Sequence, residues 1–398
     1  MIRRHSISWF LATACILALA ASCVYPFAPE AGSEDGSGAL VIEGDILLGD
    51  YTTVTLSYSS AVSTPKVSDD PPRGAVWVED DAGRTYRGVP VSGAPGTYRV
   101  DTREAAAGPQ YRLCVQNMDT NKEYMSAWAD ACRAPVIDSL SYIMDYDRER
   151  MNIAISMHSQ AGSFFKWRYV EDWEYHSVYE ARLLYTPPSL DRWGHPVTAG
   201  NLGEMPSGLN THVCWGHKAS SEILIFTTEK QTDDRFVDLE FHSIARNDDR
   251  ISVIYHIDVV LEPISRDAYL YWDNMKTISE YGGNLFAPTP SEMVGNIRCA
   301  QDPDELVLGF INVAETARKD LYIRQSVTRF YRNNIVYEDP EHVGEMQWYS
   351  FYQQGYLPVD YYRPGDLSET LWAVDRCVDC RMKGGTNVKP DFWLNNGQ

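Results

Sequence analysis

From residue 39 onward the chain is broken into short runs rich in Val, Leu, Thr and Tyr, interrupted every ten or so residues by Gly, Pro, Asp or Asn. Runs this short bury an apolar face only by packing sheet on sheet, so the spacing predicts a mostly β protein. Seven such runs (39–47, 52–59, 75–79, 85–91, 97–101, 111–116 and 122–128) fall in about a hundred residues, the density of an immunoglobulin-like or fibronectin-like β-sandwich. Within the second run Val54, Leu56 and Tyr58 alternate with Thr53, Thr55 and Ser57, the period of a half-buried strand. Asp80-Asp81-Ala82-Gly83 between two runs reads as a hairpin turn. Asp50, Glu79, Asp80 and Asp81 lack the regular oxygen-ligand spacing of a calcium loop, so turn chemistry is preferred for them.

Pro135 introduces a second series and places a boundary near residue 134, giving a β-sandwich domain over 39–133 and a larger β-rich domain over 134–398. Its runs are 138–144, 151–157, 164–175, 181–185, 222–228, 236–241 and 251–261, with later ones at 306–310 and 320–323. Residues 187–210, dense in Gly and Pro, read as a long loop, and such loops in compact domains are often functional. One helix is expected near 265–281: Ser265 is a capping residue, and Ala268, Tyr271, Met275 and Ile278 recur at helical spacing before Gly282-Gly283.

The N-terminus decides the compartment. Arg3, Arg4 and His5 precede an apolar run over 7–19, too short and too rich in small residues for a permanent membrane span of about 30 Å. Leu19-Ala20-Ala21-Ser22-Cys23 then sets small residues before a cysteine, the pattern of a lipoprotein signal peptide over 1–22 with lipid attachment at Cys23. Cleavage at Cys15 would leave the apolar run about half the usual length and is rejected. Residues 23–38, with Pro26, Pro29, Gly32, Gly36 and Gly38, read as a tether. Loss of Arg3 and Arg4 leaves 33 of the 35 basic residues against 55 acidic ones, a net charge of −22. With no useful Lys/Arg cluster, nucleic acid is excluded as a partner on counterion-release grounds.

Export permits disulfides, and the six body cysteines Cys114, Cys132, Cys214, Cys299, Cys377 and Cys380 are an even number. Most are therefore expected to be oxidised. A local Cys114–Cys132 pair is preferred, Cys377-Val378-Asp379-Cys380 reads as a structural disulfide, and the remaining connectivity stays open. His212, Cys214 and His217, with Cys299 as a fourth ligand, would be the strongest zinc candidate, but a disulfide-bonded Cys214 beside two loop histidines is simpler. No metal or cofactor is expected. No nucleophile elbow, P-loop, dinucleotide fingerprint or HExxH motif occurs. Phe165, Trp167, Tyr169, Trp173 and Tyr175 share one strand parity and Lys166, Arg168, Asp172 and Glu174 the other. Core packing is the default for that aromatic stripe; an aromatic ligand face at Trp167, Tyr169 and Trp173 is the alternative, since aromatic faces stack on sugar rings. Glu171 and Asp172 fall on opposite faces and cannot jointly attack one bond, which weakens a glycosidase reading.

Several runs together resemble a family of Bacteroidota outer-membrane lipoproteins, domain of unknown function 4249. They are Leu40-Val41-Ile42-Glu43-Gly44, Ala134-Pro135-Val136-Ile137-Asp138-Ser139-Leu140, Ala268-Tyr269-Leu270-Tyr271-Trp272, and Phe286-Ala287-Pro288-Thr289-Pro290. Gly295-Asn296-Ile297, Val307-Leu308-Gly309-Phe310, and Cys377 through Gly384-Gly385-Thr386-Asn387 to Pro390-Asp391-Phe392-Trp393 extend the resemblance. It implies a non-catalytic, lipid-anchored outer-membrane protein, commonly encoded beside TonB-dependent receptors, and so an accessory partner of such a transporter in nutrient uptake. A structural or adhesive envelope protein, and more distantly a surface hydrolase, are the competing expectations. Val24-Tyr25-Pro26-Phe27 lacks the acidic cluster that often marks surface export, which leaves the membrane face open.

Overall fold

The computed structural model describes residues 38–59, 70–159, 164–198, 200–209, 211–231, 235–281, 295–333 and 339–393; Cys23, the tether up to residue 37 and the Gly282-Gly283 helix stop lie outside them. The chain is mostly β, with several sheets and few helices. Its first body is built from β1 (Leu40–Glu43), β2 (Ile46–Leu48), β3 (Tyr51–Tyr58), β4 (Gly74–Asp80), β5 (Thr85–Pro90), β6 (Thr97–Asp101), β7 (Gln110–Asn117), β8 (Lys122–Ser126) and β9 (Ala129–Asp130). The single run read over 39–47 is two strands. Gly44 separates them at φ +146°, where a Cβ would stand 2.5 Å from the Thr53 carbonyl oxygen, so only glycine turns the chain here. The Asp80 turn forms as read: Gly83 takes φ +87°, and the Asp80 carboxylate accepts from the Arg84 amide at 2.7 Å.

Alternation along these strands sends Ile42, Val54, Leu56, Val76, Val78, Val100, Leu113 and Val115 into one core. Three strands from much later in the chain complete it: β19 (Ile297–Cys299), β20 (Val307–Leu308) and β21 (Val313–Glu315). β19 pairs with β8 at one end of the sheet path and β20 with β1 at the other. Asn296 joins these ends by accepting from the Ile311 amide and donating to its carbonyl, each at 2.8 Å, so the sheet closes round its core in a barrel-like manner.

The second body is a sandwich. One layer is β10 (Val136–Asp145), β11 (Arg150–His158) and β17 (Arg235–Ala245), in that order. The other runs β15 (Val213–Ala219), β12 (Phe164–His176), β18 (Ile254–Pro263) and β22 (Ala317–Arg324), with β16 (Leu224–Thr227) also paired to β12. Met151, Ile153, Ile155 and Met157 from the first layer pack on Phe165, Trp167, Tyr169, Tyr255, Ile257 and Val259 from the second. The two bodies are tied at Asn312, 3% exposed: its amide donates to Asp45 at 3.0 Å and its side chain donates to the Pro263 carbonyl at 3.0 Å. Asp45 also pairs with Lys166 of β12. Helix α1 (Arg266–Tyr281) begins beside this junction, with Ser265 Oγ accepting from the Ala268 amide at 3.1 Å.

A third core joins the hairpin β13 (Leu183–Thr186) and β14 (Asn201–Glu204) to the sheet β23 (Glu341–Gly344), β25 (Glu369–Val374), β24 (Tyr356–Tyr361). Leu183, Tyr185 and Leu202 meet Val343, Trp348 and Trp372 there. The segment read as one long loop thus contains a strand, because Leu202 alternates into register with Tyr185.

Candidate functional site

The central strand β12 supplies the site. Phe165, Trp167 and Tyr169 are 0, 2 and 4% exposed, and Trp167 stacks on Phe226 at 3.7 Å between ring centres. The facing layer β10–β11–β17 covers them, so Trp167 and Tyr169 belong to the core, correcting the alternative of an aromatic ligand face at those two positions.

Two residues on, the same parity places a carboxylate. Glu171, 1% exposed, accepts from Tyr255 Oη at 2.8 Å, His242 Nε2 at 2.9 Å and Arg250 Nη1 at 2.7 Å. His242 Nδ1 meets Tyr169 Oη at 2.9 Å, and Arg250 Nη2 donates to Asp248 at 2.8 Å. Burial alone raises the Glu171 pKa, but the His242 hydrogen bond and charge, the Arg250 charge and the Tyr255 hydroxyl together hold it below the ordinary glutamate value. Burial and the adjacent carboxylate push the Tyr255 phenol well up, so it stays a donor. Asp172 lies on the opposite face, where it bonds His217 Nδ1 at 2.7 Å and approaches His256 at 3.5 Å.

Farther along β12 the sandwich ends and a cleft of about 500 Å³ opens. Trp173 and Tyr175 line it from β12, Gly216, His217 and Lys218 from β15, Asp248, Asp249 and Arg250 from the turn before β18, and Lys383, Gly384 and Gly385 from the C-terminal segment. Gly216 is opposite Trp173 in the ladder, and a Cβ on it would stand 2.2 Å from the indole. Lys383 Nζ donates to Asp249 at 2.7 Å, and Tyr331 Oη donates to the same carboxylate at 2.9 Å. Tyr175 Oη donates to the Cys380 carbonyl at 2.9 Å and accepts from the Gly385 amide at 3.0 Å.

The Cys214–Cys380 disulfide, both residues 0% exposed, fixes this C-terminal lip to β15. Cys114, Cys132, Cys299 and Cys377 are free thiols, which corrects the expectations of mostly oxidised cysteines, of a Cys114–Cys132 pair and of a Cys377–Cys380 pair. Cys114 lies inside β7 between Trp77 of β4 and Met125 of β8, whereas Cys132 bridges to Ala314 of β21. Burial pushes the Cys114 thiol up to about 12, which leaves it protonated. Cys377 sits in the short helix Asp375–Val378, while the Cys380 sulfur is taken by Cys214. The His212, Cys214, His217 cluster is likewise split: His212 Nδ1 meets Ser177 Oγ at 2.9 Å, and His217 turns to Asp172.

Of the aromatic stripe, then, Trp173 alone of the three ligand-face candidates reaches the cleft. Sequence reasoning missed Glu171 as the centre of a buried network, although an acid at aromatic parity between Tyr169 and Trp173 is a readable signal. Arg250, Asp248, Asp249 and Lys383 carry no such signal, because they reach the site from separate loops.

These features define a mostly β protein with a ligand-sized polar cleft at the end of a sandwich. The chain belongs to the family described as Domain of unknown function (DUF4249), whose model matches residues 24–320. Arg250 and the residues before it in the cleft fall inside that span, and Lys383–Gly385 fall beyond it. No curated protein matches the sequence. Among solved structures, a DUF4785-family protein from Legionella pneumophila shows 9% identity and a TM-score of 0.17, with 56% of this chain and 52% of that one covered. The match therefore spans about half the length of the Legionella protein. The B domain of a biofilm-associated protein shows 8% identity and a TM-score of 0.14, with 72% of this chain and 86% of that one covered. Overlap as slight as these TM-scores describe carries no argument about fold or function.

Proposed function

We propose that the protein is a lipid-anchored outer-membrane lipoprotein that binds a small polar ligand and serves as an accessory of a TonB-dependent transporter in nutrient uptake. The cleft carries this reading: its size suits a small molecule, two aromatic residues and several hydrogen-bonding groups converge in it, and its C-terminal lip is fixed by a disulfide. The signal-peptide pattern ending at Cys23 supports the anchor, and the family resemblance supports the transporter.

Binding is favoured over hydrolysis by the state of the acids in the cleft. Burial raises the Asp248 pKa, but hydrogen bonds from Arg250 outweigh it and hold the carboxyl below the usual range. Asp249 is held by Lys383 and Tyr331. Asp248 is therefore not a neutral acid placed to protonate a leaving group at neutral pH. Among the described residues lining the cleft there is no serine, threonine or cysteine.

The test is affinity purification of the detergent-solubilised lipoprotein from its native envelope, with identification of what comes with it. A co-purifying TonB-dependent receptor, encoded beside this gene, is the expected result. Hydrolysis of a glycan or peptide by the protein alone, with no membrane receptor retained, would overturn the reading.

A further inference from the structure

We infer that the ligand of this cleft is an acidic sugar, a pyranose ring carrying a carboxylate; the inference rests on the reading of the cleft as a binding site and adds the chemistry of its occupant.

The first observation is a local gathering of basic groups. The chain carries 55 acidic and 35 basic residues, yet Lys218, Arg250 and Lys383 line the cleft with His217, against two aspartates. The second is the hydrogen-bonding state of these groups. Asp248 is engaged by Arg250 and Asp249 by Lys383 and Tyr331, so each carboxylate oxygen of these two residues already accepts a hydrogen bond. Donors are left over. An ammonium has three N–H groups, and Lys383 spends one on Asp249. The Lys218 side chain is exposed and makes no hydrogen bond or ion pair among the described residues. A donor-rich cleft with satisfied carboxylates selects an acceptor-rich ligand, and a carboxylate satisfies Lys218 better than a hydroxyl does.

The third observation is the ring platform. Trp173 is partly exposed and held against Gly216, where no side chain intervenes, and Lys218 follows His217 on the same strand. An aromatic surface beside leftover donors is the arrangement that a sugar ring with axial C–H faces and hydroxyl edges fits, whereas a bare anion leaves the aromatic surface unused. The negative charge of the rest of the molecule does not decide the matter, because it is screened beyond about 8 Å at physiological ionic strength.

Binding is measured on the mature protein by calorimetry and by tryptophan fluorescence, with galacturonate, glucuronate and N-acetylneuraminate as acidic probes. Galactose serves as the neutral ring and acetate as the ringless anion. At least one acidic sugar is expected to bind about tenfold or more tightly than galactose and than acetate. Lys218→Gln, a change at an exposed position, is expected to remove about tenfold of that affinity, and Lys218→Arg to restore most of it. Equal binding of galactose and the acidic sugars would overturn the inference and leave the cleft as a sugar site. Binding of acetate as tight as that of the sugars would also overturn it, as would no binding of any probe. Receptor co-purification is read independently, so failure here and failure of the transporter reading are distinguishable.

Discussion

Glu171 occupies a position where strand parity supplies Phe165, Trp167 and Tyr169 before it and Trp173 and Tyr175 after it. A carboxylate buried there costs several kcal/mol of desolvation, which three donors and the Arg250 charge offset. Glu171→Gln removes the charge and leaves Arg250 short of its buried partner. The expected loss of stability is about 3–5 kcal/mol, read from the urea midpoint. The pH dependence follows from the depressed folded pKa. This part of the stability is whole at neutral pH and is lost as the pH falls from the unfolded value of about 4.3 through the folded one. Acidification should therefore destabilise the native protein more than Glu171→Gln; identical acid curves would show that the network does not titrate with folding. Strand alternation alone shows that Glu171 and Asp172 take opposite faces. The donors that meet Glu171 come from residues 71, 79 and 84 positions away, and no local pattern announces them.

Among the elements, β15 and the C-terminal lip shape the cleft together. Gly216→Ala would drive a methyl group into the Trp173 indole, so the ring must move. A stability loss of about 1–3 kcal/mol is expected from the overpacking, accompanied by a shift of the tryptophan emission. Unchanged emission would place Trp173 elsewhere. The disulfide spans 166 residues, and replacing both Cys214 and Cys380 by serine is expected to cost about 3–5 kcal/mol, read as a lowered midpoint that reducing agent no longer changes. Thiol labelling of the denatured, unreduced body should modify Cys114, Cys132, Cys299 and Cys377 and spare Cys214 and Cys380. Labelling of all six would refute the bridge. An even cysteine count and an exported chain favour disulfides in general, but pairing depends on which sulfurs the fold brings together. The C-x-x-C spacing was a poor guide because a short helix intervenes and the second sulfur is committed to β15.

For the molecule as a whole, anchoring and architecture are separate properties. Cys23→Ala should leave the body folded and move it from the membrane pellet to the soluble fraction, with mass spectrometry of the native N-terminal peptide showing the lipid. An equally membrane-bound variant would remove the anchor from Cys23. The architecture depends on late strands returning to early ones: β19, β20 and β21 complete the first core, and Asn312 beside them binds both Asp45 and Pro263.

The sequence by itself determined the β character, the turn at Asp80-Asp81-Ala82-Gly83, the Ser265 cap of α1 and the split of Glu171 from Asp172, since each depends on residues a few positions apart. The tertiary structure decided the closure of the first sheet, the burial of Trp167 and Tyr169, the choice of Cys214 and Cys380 as partners, and the cleft itself. The physical reason is distance along the chain. Lys383 meets Asp249 across 134 residues and Trp393 Nε1 donates to Glu174 across 219, so these contacts depend on how the sheets pack and leave no periodicity that a local reading detects.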